Sequence, residues 1–243
     1  MTQKQGSEYD RLFYPFLFEG GQARVEDVLA QVKHSTLEKC REVIELRNAT
    51  LAGYQNEIVT AGQVMAKAFA EGATLFAFGN GGSATDAQDL VADLLDPPFS
   101  GWRSLPAVAL TNDIAVITAV ANDVGIDNIF TRQIIAFGKR GDIAFGFSTS
   151  GNSKNVLVAF EQAKKQGMLT VGLAGYDGGN MAHMEATDYC ITVSSEHIPR
   201  IQEGQATVYH ALLEVLQAEL ANEKLAHQME QLSNRPRQTG AVP

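Results

Sequence analysis

Apolar positions along this chain keep two rhythms that alternate from residue 74 onward. Residues 74–78 form a short apolar run, Leu75-Phe-Ala-Phe78, of the length of a buried strand. Small turn-forming residues follow, Gly79-Asn-Gly-Gly-Ser83, and beyond Ser83 the apolar positions return at helical spacing. The same order recurs downstream. Residues 105–110 read as a strand, and residues 113–120 and 129–137 as helices. Residues 142–147 read as a third strand, followed by the loop Ser148-Thr-Ser-Gly-Asn-Ser153 and a helix opened by Asn155. Residues 169–174 and 189–193 supply two more strands, with a turn at 176–179. Strands alternating with helices predict βαβ crossovers, hence an α/β fold with a five-stranded parallel sheet covered by helices on both faces, doubly wound in the flavodoxin-like manner. Ligands of such sheets sit beyond the carboxyl ends of the strands, where the glycine loop and the hydroxyl loop both lie.

Before the first strand the period is helical. Val28, Val32, Leu37, Cys40, Ile44, Leu46 and Leu51, then Ile58, Val64, Met65 and Phe69, recur about three and four residues apart and predict two helices over 25–71. Residues 1–24 differ: a polar stretch runs into an aromatic cluster at 12–18, and Pro15 with Gly20-Gly21 prevents one continuous helix. They read as an arm packed on an apolar surface, either of another subunit or of its own domain. At the other end a long helix is expected from 201 to about 231, then a frayed tail. The expected organisation is an arm over 1–24, one domain over 25–232 and a tail over 233–243.

Composition narrows the function classes. A chain of 243 residues with 45% hydrophobic content can bury a full core as one domain. Its 19 basic and 28 acidic residues give a formal charge of −9, which argues against a surface for nucleic acid. Two cysteines, Cys40 and Cys190, lie far apart without a CxxC and point to a reducing compartment. No apolar run nears 18 residues and no basic segment precedes a signal-like core, so neither a membrane span nor a signal peptide is expected and the expected location is cytoplasmic.

The loops carry the chemistry. Gly79, Gly81 and Gly82 can take positive φ and let backbone approach a ligand, and Ser83 is a good N-cap at the positive end of the next helix. Such a loop favours an anion, most economically a phosphate. The second loop adds four hydroxyls, on Ser148, Thr149, Ser150 and Ser153. Neither loop matches G-x-x-x-x-G-K-[ST], and the first lacks the third glycine of G-x-G-x-x-G, so a nucleotide cofactor is disfavoured. On the following helix Asp86, Asp89 and Asp93 share one face. On the terminal helix Gln202 and His210 stand about 80° apart around the axis, close enough to face one cleft. Each feature also has a plain structural reading, as a tight βα turn, a solvated acidic face or a packed histidine.

Taken together, Gly79-Asn-Gly-Gly-Ser83, Leu110-Thr-Asn-Asp113, Ser148-Thr-Ser-Gly-Asn-Ser153, Arg200-Ile-Gln-Glu203 and His210 resemble the sugar isomerase (SIS) domain. The resemblance is closest to the phosphoheptose isomerases and spans roughly residues 28–218. It implies an aldose–ketose isomerase acting on a sugar phosphate such as sedoheptulose 7-phosphate through an enediolate. It further implies that Asp93 and His210 are catalytic. Phosphate would be held by Gly81, Gly82, Ser83, Ser148, Thr149, Ser150 and Ser153, and sugar hydroxyls by Asn80, Asn112, Asp113 and Gln202. The family's N-terminal helices build a homotetramer. Many members hold zinc, which implies Asp89, Asp93, Gln202 and His210 as ligands for zinc or another divalent metal. The chain departs from the family at two of these positions: Asp89 stands for a histidine and Asp93 for a glutamate. The second reading is a non-catalytic phosphosugar-binding regulator or scaffold, like the DnaA initiator-associating protein, which shares this fold.

Overall fold

The computed structural model describes residues 25–233, with side chains over 28–222. The expected arm lies outside the described residues, as does the tail from 234 onward. The chain divides into two compact units, one ending at Ile44 and one beginning at Glu45. The first unit is helical throughout its described part, the start of α1 (Val25–Gly53), and it leaves Leu29, Val32, Leu37 and Ile44 exposed.

The second unit holds α2 (Gln55–Ala70), β1 (Leu75–Phe78), α3 (Gly82–Leu95), β2 (Ala107–Ala109), α4 (Ile114–Asp123), α5 (Thr131–Phe137), β3 (Ile143–Ser148), α6 (Lys154–Gln166), β4 (Leu169–Gly175), β5 (Tyr189–Val193) and α7 (Ile198–Ser233). All strand pairs are parallel, in the order β2-β1-β3-β4-β5. The order reverses beside β1. The two ligand-type loops leave the carboxyl ends of β1 and β3, which are neighbours with Phe78 opposite Gly146. The expected fold class therefore holds. The terminal helix starts three residues earlier than expected, because Pro199 falls in its first turn, where a missing N–H leaves no bond unmade.

Alternation within the strands feeds two cores. Leu75, Ala77, Phe145, Phe147, Val171 and Leu173 face α2, α3 and α7, among them Met65, Leu90, Tyr209 and Leu216. Phe76, Phe78, Ala144 and Ala174 face the opposite layer, with Ile134, Val156 and Phe160. Each fully buried large side chain contributes about 1.5–3 kcal/mol through the area it removes from water. Gly146 and Gly172, paired across β3 and β4, are needed flat. A Cβ on Gly146 would lie 2.6 Å from the Phe160 ring, and one on Gly172 would lie 2.6 Å from Met181 Sδ.

At the opposite, amino end of the sheet Asp142 accepts from Thr74 N and Lys139 N, both at 2.8 Å, and pins the entries of β1 and β3. Binding chemistry is thus left to the carboxyl end. No helix among the described residues is long and apolar enough to cross a membrane.

Candidate functional site

The first loop turns tightly because Gly81 adopts φ +57, a conformation that favours glycine. Ser83 N and Ala84 N bond back to Asn80 O and Gly81 O, each at 3.0 Å, so α3 is already wound by Gly82. The expectation that Ser83 is the N-cap is corrected. Gly81 occupies that position without a side-chain cap, and Ser83 lies buried in the first turn. Of the three loop glycines only Gly81 takes positive φ; a Cβ on Gly79 would lie 2.6 Å from Ser83 O, and one on Gly82 would meet only the Gln202 amide.

In the second loop the hydroxyls gather around buried Ser148. Its Oγ donates to Ser153 Oγ at 2.9 Å and lies 3.5 Å from Ser150 Oγ. Ser150 Oγ also accepts from Asn152 N at 3.1 Å, while Asn152 Oδ1 accepts from Asn180 N at 2.9 Å, tying the loop to the turn after β4. Gly151 has φ +62, and a Cβ there would fall 2.0 Å from Gly178 O. The two loops are joined directly. Asn80 Nδ2 donates to Asn155 Oδ1 at 2.9 Å, and Asn155 Nδ2 returns a bond to Asn80 Oδ1 at 2.8 Å.

Helices α3 and α7 carry the expected carboxylates, the amide and the imidazole, and meet in three polar pairs. The Gln202 amide lies over the first loop, so close that a Cβ on Gly82 would sit 1.9 Å from Gln202 Nε2, and it hydrogen-bonds to Asp86. Tyr209 donates its hydroxyl proton to Asp89 Oδ2. His210 Nε2 approaches Asp93 Oδ2 at 3.4 Å, with the imidazole half exposed. Neither Asn155 nor Tyr209 was among the residues expected from sequence. Tyr209 has one visible signal, a lone phenol on the apolar stripe of Val208, Leu212 and Leu216.

Burial decides the protonation chemistry here. Half-buried Asp86 is pushed up to about 6 by desolvation, aided by the charge of Asp89 and opposed by the Gln202 hydrogen bond; its Oδ2 is buried without a partner. Desolvation and Asp89 also raise Asp93, and His210 pulls it back. A base of raised proton affinity beside an imidazole is the arrangement that proton transfer near neutral pH requires. Asp93 and His210 open onto a cleft of about 380 Å³ walled by Pro98, Phe99, Trp102 and Leu213. Phe99 and Trp102 meet at 4.9 Å between ring centroids, inclined by 60°.

The other expected residues lie nearby in the chain but do different local work. Asp113 accepts from Val116 N at 3.0 Å and so caps α4, and the Asn112 amide N–H bonds to Ala109 O at 3.3 Å. Gln88 donates to Thr111 Oγ1 at 3.3 Å, which ties α3 to that loop.

The expected metal ligands do not form a metal centre. Zinc needs nitrogen and oxygen donors converging at about 2.0–2.2 Å. Here Asp89 is turned to Tyr209, Gln202 to Asp86, and only Asp93 and His210 face each other. Among the described residues no three His, Cys, Asp or Glu side chains are grouped to hold a metal ion.

The family model described as the SIS domain matches residues 40–175. The phosphoheptose isomerase of Geotalea daltonii is 45% identical over 168 residues, covering 69% of this chain and 86% of that protein. The phosphoheptose isomerase of Geobacter sulfurreducens is 40% identical over 196 residues, covering 81% and 98%. Among solved structures, phosphoheptose isomerase from Neisseria gonorrhoeae superposes with a TM-score of 0.71 at 32% identity, covering 77% of this chain and 99% of that one. The enzyme from Francisella tularensis does so at 0.70 and 31%, covering 79% and 98%.

Proposed function

We propose, from the premise that this chain belongs to the SIS-domain family and to its phosphoheptose isomerases, that it interconverts an aldose phosphate and a ketose phosphate, such as sedoheptulose 7-phosphate, through an enediolate. The observation that carries the reading is the Asp93–His210 approach at the mouth of the cleft, on helices that also meet the first loop. Asp93 removes the proton alpha to the carbonyl. Its raised proton affinity suits a base that must return that proton to the neighbouring carbon. His210 moves a proton between the two oxygens, so that charge does not build on either.

Phosphate is held by the amides of the first loop with Gly81, Gly82 and Ser83, and by Ser148, Thr149, Ser150 and Ser153. The positive ends of α3 and α6 favour the anion there. Asn80, Asn112, Asp113 and Gln202 orient sugar hydroxyls. Each side-chain amide of the Asn80–Asn155 pair keeps a second donor hydrogen and a second lone pair for such a bond. The regulatory reading is not favoured, since the relatives described above, all more than 30% identical, are phosphoheptose isomerases.

We read residues 25–232 as one catalytic domain of a cytoplasmic homotetramer. The exposed Leu29, Val32, Leu37 and Ile44 of α1 support an apolar contact between copies. Light scattering at micromolar concentration gives a tetramer on this reading; a monomer removes it. For the activity, the test is NMR exchange of the alpha proton over a panel of ketose phosphates, with and without zinc. Exchange with one of them supports the isomerase, and binding without exchange supports the regulator.

A further inference from the structure

Tyr209 on α7 is buried, at 1% exposure, where that helix meets α3. Three contacts fix it. Its ring stands edge-on to Phe147 at 6.0 Å and 83°, and it meets the His210 ring at 4.4 Å and 58°. Its hydroxyl donates to Asp89 across 120 residues of sequence. A buried phenol without an acceptor would cost about 1–3 kcal/mol, so Asp89 is what allows tyrosine at this core position.

The consequence falls on Asp89. One oxygen of its carboxylate, Oδ2, is engaged by the phenol on α7. Among the described residues Asp89, Asp93 and His210 are not grouped as a metal site, and the Tyr209 hydroxyl holds that one oxygen of Asp89 on α7.

We propose that Tyr209 is a positioning residue of this site: it locks Asp89 onto the terminal helix and backs the His210 ring, so that Asp93 and His210 work as a proton-transfer pair without a bound metal. The proposal rests on the isomerase reading for its catalytic half and on geometry alone for its metal half.

Tyr209→Phe keeps the ring contacts and removes only the hydroxyl, and its fold is checked by circular dichroism and melting. Wild type and variant are treated with chelator, titrated with zinc chloride by calorimetry, and assayed by proton-exchange NMR. The chelated wild type keeps its turnover, and zinc changes it less than about twofold. The variant binds zinc about tenfold more tightly or better, because Asp89 is released, and its kcat falls on the order of tenfold with KM within about twofold, as misplacement of reacting groups predicts. Loss of wild-type turnover on chelation with recovery on zinc would overturn the proposal. So would unchanged zinc affinity, or unchanged kcat, in Tyr209→Phe. If the wild type exchanges no proton with any sugar phosphate, the isomerase reading fails, and the zinc titration still decides whether Tyr209 withholds Asp89.

Discussion

Asn80 and Asn155 exchange a reciprocal pair of amide hydrogen bonds, 2.9 and 2.8 Å long, between the loop after β1 and the first turn of α6. The pair sets the spacing of two loops whose only covalent link is 75 residues of chain. Asn155 is buried and Asn80 exposed, so truncating Asn155 removes both bonds, leaves a gap at a buried position and frees the Asn80 amide to water. Asn155→Ala is expected to lower stability by about 1–2 kcal/mol in urea unfolding and to weaken phosphosugar binding by about tenfold. Unchanged binding would mean that the loops do not act together.

The hydroxyl cluster predicts a larger binding effect with little change in stability. Ser148→Ala with Ser153→Ala removes both ends of a 2.9 Å bond at once, which leaves no orphaned partner between them. Phosphosugar affinity should fall by about 1–3 kcal/mol through lost bonds to a charged group, read by calorimetry. Retained affinity would take the second loop out of the site.

Two glycines separate function from folding. In Gly82→Ala the new methyl displaces the Gln202 amide, the far end of a flexible side chain, so melting is expected to hold within a few degrees while KM rises. In Gly151→Ala the methyl meets the fixed carbonyl of Gly178, and φ is positive as well. That variant should lose about 2 kcal/mol or more. Equal melting temperatures for the two variants would contradict the geometry.

Asp86 predicts a pH dependence of stability. Its proton affinity is higher folded than unfolded, with a folded pKa of about 6 against 3.8, so the unfolded chain releases its proton first as pH rises. This group's contribution therefore declines through that interval and is least favourable above it. Allowing for partial solvent exposure, the cost at neutral pH is about 1 kcal/mol. Asp86→Asn should melt higher than wild type above pH 6 and converge with it toward pH 4. A variant that melts lower at pH 7 would show that the charge is stabilised rather than strained.

The sheet, its order of elements and both loops were legible because they rest on local signals: apolar runs, glycine turns and three- and four-residue periods. What was not legible joins residues remote in sequence. Nothing in the chain around 80 announces Asn155, and nothing around 89 announces Tyr209. The carboxylate spacing on α3 placed Asp86, Asp89 and Asp93 on one face correctly, as their mutual charge effects attest. It could not tell that α7 would take each one separately, with Gln202, Tyr209 and His210, and so disperse the expected metal ligands. The Ser83 cap was misread for a related reason: a serine before a helix usually caps it, but the Asn80-Gly81 turn had already begun the helix at Gly82.

The central claim is that Asp93 and His210 move the proton while the loops hold the phosphate. The most direct measurement is alpha-proton exchange by NMR in wild type, Asp93→Asn and His210→Ala, with sugar-phosphate affinity measured on the same samples. The account predicts turnover lowered by about 10²-fold to 10⁴-fold in each variant, the usual worth of one proton-transfer group, with affinity within about twofold of wild type. Variants that exchange the proton as fast as wild type, or that lose affinity in proportion to rate, would contradict it.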